Sequence, residues 1–189
     1  MFRKALLGFT LLLAPVAQAA EVPPAMSQYI YDDLMAWVND AEIVQAIQAQ
    51  NSAMGALSQD DIILRDEMWR AQVSTPVAPL VNEVMNAPLS TFLRVHQEKS
   101  AGLITEVFVM DRNGLNVAAS TITSDYWQGD EAKFQETFGK GSGSVFVDEI
   151  ELDESTQTYQ GQVSFAVTDP ASGEVVGAIT VGLNASAFY

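Results

Sequence analysis

The chain has 189 residues, 48% of them hydrophobic, which is enough for one core and too little for two large domains. It contains no cysteine and one histidine, so disulfides, thiol catalysis and any site that needs two imidazoles are excluded. A formal net charge of −15 makes binding to nucleic acid or to an anionic membrane surface unfavourable.

The N-terminus has the layout of a secretory signal peptide. Arg3 and Lys4 precede an apolar run over residues 5–14, and Ala17 with Ala19 forms a small-x-small cleavage site. The run is shorter than the ~20 apolar residues that a membrane-spanning helix needs. We expect residues 1–19 to be removed, leaving residues 20–189 as one soluble periplasmic domain with a net charge of −17 and no membrane insertion.

Residues 25–57 predict a long N-terminal helix that Ser27 caps. Apolar residues recur there at spacings of three and four, which is the period of one helix face. This stripe consists of Met26, Ile30, Leu34, Trp37, Ala41 and Val44.

Shorter helices are predicted up to residue 99. Ser58, followed by two acidic residues, is typical of an N-cap, and the helix after it carries Trp69 and ends at Thr75. Pro79 and Pro88 then separate two more helices, the last over residues 89–99.

From residue 103 onward the pattern is that of strands. Strands are predicted over 104–110 and 115–120, with Asn113 and Gly114 in the hairpin turn between them. A loop over residues 121–143, with a short helix at 131–138, leads to strands over 144–152, 160–168 and 175–183.

Short turns between consecutive strands indicate a mainly antiparallel sheet of five strands. Because helices precede the strands, the fold class is α+β, with the long N-terminal helix and the short helices packed on that sheet.

This order of elements resembles the extracytoplasmic PAS-like sensor domains called Cache or PDC domains, in their single-Cache form. The stretches that carry the resemblance are residues 108–120 and 144–182. The resemblance implies that the sheet and the 121–143 loop enclose a pocket for a small molecule such as an amino acid, a small carboxylate, an amine or a purine.

The resemblance also implies which residues line that pocket. Tyr126 and Trp127 correspond to the aromatic residues of the family's loop, and Phe146 with Asp148 takes the place of its Tyr-x-Asp pattern. Asp169 matches a further acid in position. The family's amino-acid receptors place an arginine just before the loop aromatics, and no arginine follows Arg112 here, which argues against an α-amino-acid ligand.

The residues of the loop favour a cationic or polar ligand. Aromatic rings stack on a ligand or cage a cation, and carboxylates pair with ammonium groups. The expected ligand-binding residues are Asp125, Tyr126, Trp127, Asp130, Phe146, Asp148 and Asp169. In the structural alternative, Tyr126 and Trp127 cover the sheet edge and Asp130 with Glu131 caps the next helix. Lys133 is expected to be solvated.

Motifs for catalysis are weak. His96 is expected to be a surface or hydrogen-bonded histidine, and the sequence contains no nucleophile elbow. Residues 139–143 lack the spacing of a phosphate-binding loop. Glu149 and Glu151 read as exposed strand acids rather than a glycosidase pair. We expect no catalytic residue, no metal site and no cofactor, and the protein is not predicted to be an enzyme.

The predicted function is that of a periplasmic sensor-type binding protein without its own output domain. Such a protein acts through a partner, for which a membrane sensor kinase, a chemoreceptor or a transporter is expected. The alternative is an interaction or accessory protein with the same fold and a filled pocket, using the helix faces that carry Trp37 and Trp69. A homodimer through the N-terminal helix is also consistent with this pattern.

Overall fold

The structure is a computed structural model that describes residues 22–153 and 158–189, so the predicted signal peptide and most of the turn at residues 153–156 lie outside it. Helices come first, as predicted. Their bounds are α1 Pro24–Asp32, α2 Ala41–Met54, α3 Gln59–Gln72, α4 Pro79–Met85, α5 Pro88–Lys99 and, later in the chain, α6 Ala132–Gln135. None of the helices in these ranges is long and apolar enough to cross a bilayer.

The strands form one antiparallel sheet, which confirms the α+β class. Their bounds are β1 Ile104–Met110, β2 Asn116–Ala119, β3 Val145–Val147, β4 Glu151–Asp153, β5 Thr158–Thr168 and β6 Val175–Asn184. The order across the sheet is β2-β1-β6-β5-β3, and β4 pairs with β5 beside β3. The predicted strand over residues 144–152 is therefore two short strands on the same edge of β5.

The predicted long N-terminal helix is divided. It begins at Pro24 rather than at a Ser27 cap, because proline fixes φ and needs no hydrogen-bond partner at this position. After α1 a 3₁₀ turn spans Leu34–Ala36, and the Asp40 side chain then caps α2 by accepting from the Glu42 N–H at 2.9 Å. The break shifts the phase of the apolar stripe, so that Val38, Ile43 and Ile47 are buried in place of Trp37 and Ala41.

Two other local predictions are confirmed. The Ser58 side chain caps α3 by accepting from the Asp61 N–H at 3.2 Å. In the hairpin between β1 and β2, Gly114 has a φ of +78°, and the Asp111 carboxylate accepts from the backbone N–H groups of Asn113 and Leu115. Side chains close in sequence therefore fix both the start of α3 and the turn between β1 and β2.

The sheet has two covered faces. The face that α1, α2 and α5 cover, called the helix face here, receives alternate residues of the central strands, such as Val107, Val109, Val163 and Val181. The opposite face, called the loop face, is covered by α3, α4 and residues 121–143, and it receives Phe108 and Met110 from β1.

Candidate functional site

The loop face consists of an apolar half and a polar half. The apolar half lies over the β1–β2 hairpin and is packed with large side chains, namely Trp69, Met110, Leu115, Tyr126 and Phe134. The polar half lies over β1, β6 and β5, where the register places polar side chains on the same face, namely Glu106, Gln160, Gln162, Ser164 and Thr180. Asp148 joins this half from the sheet edge, because its N–H donates to the carbonyl oxygen of Gln162.

In the apolar half, Tyr126 is part of the core. Its side chain is 1% exposed and stacks on Trp69, with ring centroids 5.4 Å apart. Burial raises the pKa of the Tyr126 hydroxyl above its ordinary value, so it stays protonated. The Trp69 indole N–H donates to the Thr123 carbonyl oxygen at 2.9 Å, which fixes the start of the loop. The large side chains of this half are thus packed as core.

A buried carboxylate from α3 holds the loop aromatics in place. One Asp66 oxygen accepts from the backbone N–H of Tyr126 at 2.8 Å and of Trp127 at 3.1 Å. Arg70, one turn later, donates to Asp66 at 2.7 Å and to Asp125 at 2.8 Å. The charge of Asp125 is thus already paired, on the side of the loop that faces α3.

The polar half is organised around Glu106. One of its carboxylate oxygens accepts from the side-chain amides of Gln160 at 3.0 Å and Gln162 at 2.9 Å. Within residues 22–153 and 158–189, no lysine, arginine or histidine nitrogen lies within 4 Å of this carboxylate. Glu106 is therefore an oriented, half-buried anion without a cation partner.

Gly182 makes room for this arrangement. A Cβ atom on Gly182 would lie 2.6 Å from Thr105 Oγ1, 2.7 Å from Glu106 Cγ and 3.0 Å from Gln160 Nε2. Thr105 Oγ1 is itself buried without a hydrogen-bond partner, as is Asn184 Oδ1, which pairs in register with Gln160. Unmet polar atoms beside an unpaired carboxylate are typical of a site that holds water or a ligand.

Two adjoining clefts open above the polar half. The smaller has a volume of about 160 Å³ and lies between Glu106, Phe108 and the loop residues Thr123, Ser124 and Gln128. The larger has a volume of about 310 Å³ and is lined by Asp148, Glu149, Glu151 and Gln160. Lys133 and Gln162 line both clefts.

Lys133 is largely covered by its surroundings, where the sequence predicted a solvated side chain. Only 12% of its side chain is exposed, because α6 directs it over the sheet. Its ammonium group is 2.9 Å from Glu131 Oε2, 3.4 Å from Gln128 Oε1 and 5.5 Å from the centre of the Phe108 ring. The amphipathic stem of lysine and the nearby ring account for this placement.

Two of the seven predicted site residues lie in the polar half. Asp148 lines the larger cleft and is half-buried. Phe146 pairs in register with Ser164 and so lies on the loop face, without lining either cleft.

The four predicted residues of the loop lie away from the clefts. Tyr126 is in the core and Asp125 is paired with Arg70, as described above. Trp127 is half-buried against the hairpin, where its indole N–H donates to the Asn113 carbonyl oxygen at 3.0 Å. Asp130 is exposed. Glu131 provides the N-cap of α6 without a side-chain capping bond.

Asp169 lies at the far end of β5. Its carboxylate accepts from the Ala171 N–H at 2.9 Å and from the Ser172 hydroxyl at 2.8 Å, which closes the β5–β6 turn. The backbone hydrogen bond from Ala171, together with that from the Ser172 hydroxyl, lowers the pKa of Asp169. Seven residues of extended chain, roughly 23 Å, separate it from Gln162. The seven predicted residues therefore do not form one pocket.

The residues that do line the clefts carry a recognisable signal in the sequence. Gln160 and Gln162 alternate with the buried residues Gly161 and Val163 along β5, and Glu106 precedes the apolar run over residues 107–110 of β1. Polar residues on a buried face of a central strand indicate a site rather than a core. These polar residues become neighbours only through the strand order β1-β6-β5. The sequence pattern does not reveal that order.

On the opposite side of the molecule, His96 packs between aromatic rings, 4.4 Å from Trp37 and 4.5 Å from Phe92. Trp37 is half-buried against these rings, whereas Trp69 is fully buried and so is not exposed on a helix face. In the part of the chain that the structure describes, no three His, Cys, Asp or Glu side chains group to hold a metal ion.

Comparisons of the sequence found no relative. No protein-family profile matches the chain, and no curated protein matches it.

Comparison of the structure found sensor domains of histidine kinases and chemoreceptors. The sensor domain of the histidine kinase DctB of V. cholerae is 17% identical with a TM-score of 0.46, over 86% of this chain and 53% of that one. The sensory domain of the chemoreceptor Tlp3 of Campylobacter jejuni is 16% identical with a TM-score of 0.42, over 85% of this chain and 64% of that one. The ligand-binding domain of PctC of Pseudomonas aeruginosa PAO1, solved with GABA, is 9% identical with a TM-score of 0.38, over 84% and 62%.

This chain thus spans between half and two thirds of the length of those sensor domains. At these identities and TM-scores the comparisons assign neither a ligand nor a family to the chain, and its chemistry has to be argued from its own residues.

Proposed function

We propose that this protein is an extracytoplasmic binding domain that takes up a small cationic or polar molecule in the clefts of the polar half. The observation that carries the proposal is the Glu106 carboxylate, which two amides orient and which forms no salt bridge within residues 22–153 and 158–189. An ammonium group of a ligand supplies the missing charge and donates to the oxygen of Glu106 that the amides leave free.

Electrostatics favour the same class of ligand. Asp148, Glu149 and Glu151 add three acidic side chains to the larger cleft, against the single cation Lys133. The net charge of −15 also raises the local concentration of cations around the protein. A dicarboxylate would meet repulsion on three sides, so we place it outside the ligand class.

The volumes limit the size of the ligand. Pockets for drug-sized molecules usually measure ~300–1,000 Å³. The larger cleft is at the lower end of that range and the smaller one is below it. The ligand is therefore a molecule of few heavy atoms.

Thermal unfolding with a panel of small probes tests the proposal. n-Butylamine, choline and glycerol represent the expected class, and succinate represents the excluded one. A probe at one hundred times its Kd stabilises the folded state by about 2.7 kcal/mol, which raises Tm by roughly 5–10 °C for a domain of this size. Stabilisation by succinate alone, or by no probe, contradicts the proposal.

Two matched variants locate the site. Glu106→Gln keeps the side-chain shape and removes the charge, so we expect it to abolish the shift caused by cationic probes. Glu98→Gln makes the same change at an exposed position of α5 and should leave the shift intact. Equal responses of the two variants would place the binding site elsewhere.

A second candidate function, association with another protein chain, is favoured by the exposed face of α3. Ile63, Leu64 and Met68 are 41%, 56% and 46% exposed on that helix. Sedimentation velocity tests it, with a second copy of the chain as the expected partner. A dimer that Leu64→Glu converts to a monomer supports this candidate, and a monomeric wild-type protein removes it.

A further inference from the structure

One side chain separates the two clefts of the polar half. Lys133 lines both of them and extends from α6 across the face of the sheet, with 12% of its side chain exposed. Apart from Gln162, which forms part of the floor, no other residue of the described ranges belongs to both clefts.

One acid from each cleft, Glu106 and Asp148, lies in the same row across the sheet. Glu106 pairs in register with Gly182 and Gly182 with Gln162, and Asp148 donates its N–H to the Gln162 carbonyl. Three strand spacings of ~4.8 Å put the Cα atoms of Glu106 and Asp148 about 14 Å apart. Lys133 lines both the cleft that contains Glu106 and the cleft that contains Asp148.

The ammonium group of Lys133 is held by its own loop and not by the sheet. Its ion-pair partner is Glu131 and its hydrogen-bond acceptor is Gln128, both within five residues of it. Neither Glu106 nor Asp148 forms a salt bridge with it, since no nitrogen of Lys133 lies within 4 Å of either carboxylate. The lysine therefore occupies the space over the Phe108 ring, where a cation is favoured, without neutralising the acids of the row.

We infer that Lys133 determines which cations the clefts accept. Its charge divides the acidic row, so a ligand with one ammonium group binds beside Glu106, and a second ammonium group is repelled from the space between the clefts. The inference rests on the proposed function and names the ligand class more narrowly, as small monocations in preference to diamines.

The test compares two amines of equal size. n-Pentylamine and 1,4-diaminobutane each have six heavy atoms and differ by one charge. Calorimetric titration of the wild-type protein should give tighter binding of n-pentylamine. Lys133→Met keeps the length and removes the charge, and we expect it to shift the affinity ratio toward 1,4-diaminobutane by about tenfold or more.

Three further variants complete the experiment. Lys133→Gln retains a hydrogen-bond donor toward Glu131 and should shift the affinity ratio in the same direction. It takes the place of Lys133→Met if that variant does not fold. Lys133→Arg keeps the charge and should keep the wild-type preference. Lys140→Met removes a lysine that is 58% exposed on the same loop and should also leave the ratio unchanged.

Each outcome decides between the claims. An unchanged affinity ratio in Lys133→Met, or a ratio that shifts further toward n-pentylamine in that variant, overturns the inference, while amine binding itself upholds the proposed function. Absence of binding of both amines to the wild type and to Lys133→Met overturns the inference and the proposed function together.

Discussion

Strand β1 contributes side chains to both halves of the loop face. These side chains are part of a filled core in one half and line open clefts in the other. Phe108 and Met110 lead into the apolar half, where Trp69 and Tyr126 fill the space above the sheet. Glu106, two residues earlier on the same strand face, belongs to the polar half, where clefts remain open. The comparison shows that one covering loop can complete a hydrophobic core over part of a sheet and leave clefts open over the rest.

The difference follows from side-chain chemistry at neighbouring positions. Large aromatic side chains exclude water and pack to high density. Glutamate and glutamine side chains bond to one another along the sheet and leave polar atoms that water or a ligand must satisfy. The apolar half should therefore carry stability, and the polar half should carry binding.

The largest effect is expected from Trp69→Ala in the apolar half. The substitution removes a fully buried ring, its stacking on Tyr126 and its hydrogen bond to Thr123. Urea unfolding should show a loss of about 3–5 kcal/mol in the free energy of unfolding. Glu67→Ala, at an exposed position of the same helix, is the control and should stay within about 0.5 kcal/mol of the wild type. A loss below about 1 kcal/mol for Trp69→Ala would contradict the division between the halves.

A smaller effect is expected from Gly182→Ala in the polar half. The added methyl group would collide with Thr105, Glu106 and Gln160, and overpacking of this kind costs about 1–3 kcal/mol of stability. Urea unfolding measures that cost, and titration with n-butylamine measures binding. Because the collision displaces Glu106, amine binding should weaken more than tenfold while most of the protein remains folded. Retained binding would show that the floor of the cleft is not set by Gly182.

Glu106→Gln should change the stability of the unliganded protein by no more than about 1 kcal/mol. The variant loses charge-assisted hydrogen bonds from two glutamines, and it relieves repulsion from the other acids of the row, so the two terms offset. Urea unfolding without ligand gives the value. A loss of more than about 3 kcal/mol would indicate that Glu106 has a structural role like that of Asp66.

The smallest effect concerns mild acid. The chain has one histidine, on the helix side, and burial lowers the pKa of His96 below its ordinary value of 6.5. The unfolded chain binds the proton more readily, so stability is complete above pH 6.5 and falls as the pH drops through that value. Unfolding midpoints between pH 7.5 and 5.5 measure the fall, and His96→Leu should reduce it. A pH dependence unchanged in that variant would assign it to the loop face instead.

Much of the fold follows from local sequence signals. The Ser58 cap, the Asn113–Gly114 turn and the period-two strands 104–110, 160–168 and 175–183 each depend on residues within a few positions of one another. The division of the N-terminal helix was not predicted, because a stripe of apolar residues continues through the break and only the Asp40 cap marks it.

The candidate site was less accessible to prediction. Asp148 was predicted from the resemblance of residues 146–148 to the Tyr-x-Asp pattern of Cache domains, and it lines the larger cleft. The packed position of Tyr126 corresponds to the structural alternative that its sequence also allowed. Glu106, Gln162 and Lys133 come from three elements that are distant in the chain. Their proximity depends on the order of the strands and on the direction in which α6 points.

The sequence by itself therefore determined the α+β class, the alternation of side chains between two sheet faces and the acidic character of the protein, because these depend on residue type and short spacings. The tertiary structure alone decided that Trp69 and Tyr126 close one half of the loop face and that Glu106, Gln162, Asp148 and Lys133 meet over the other. The physical reason is that hydrogen-bond pairing between strands joins residues more than fifty positions apart, and no local spacing encodes which strands become neighbours.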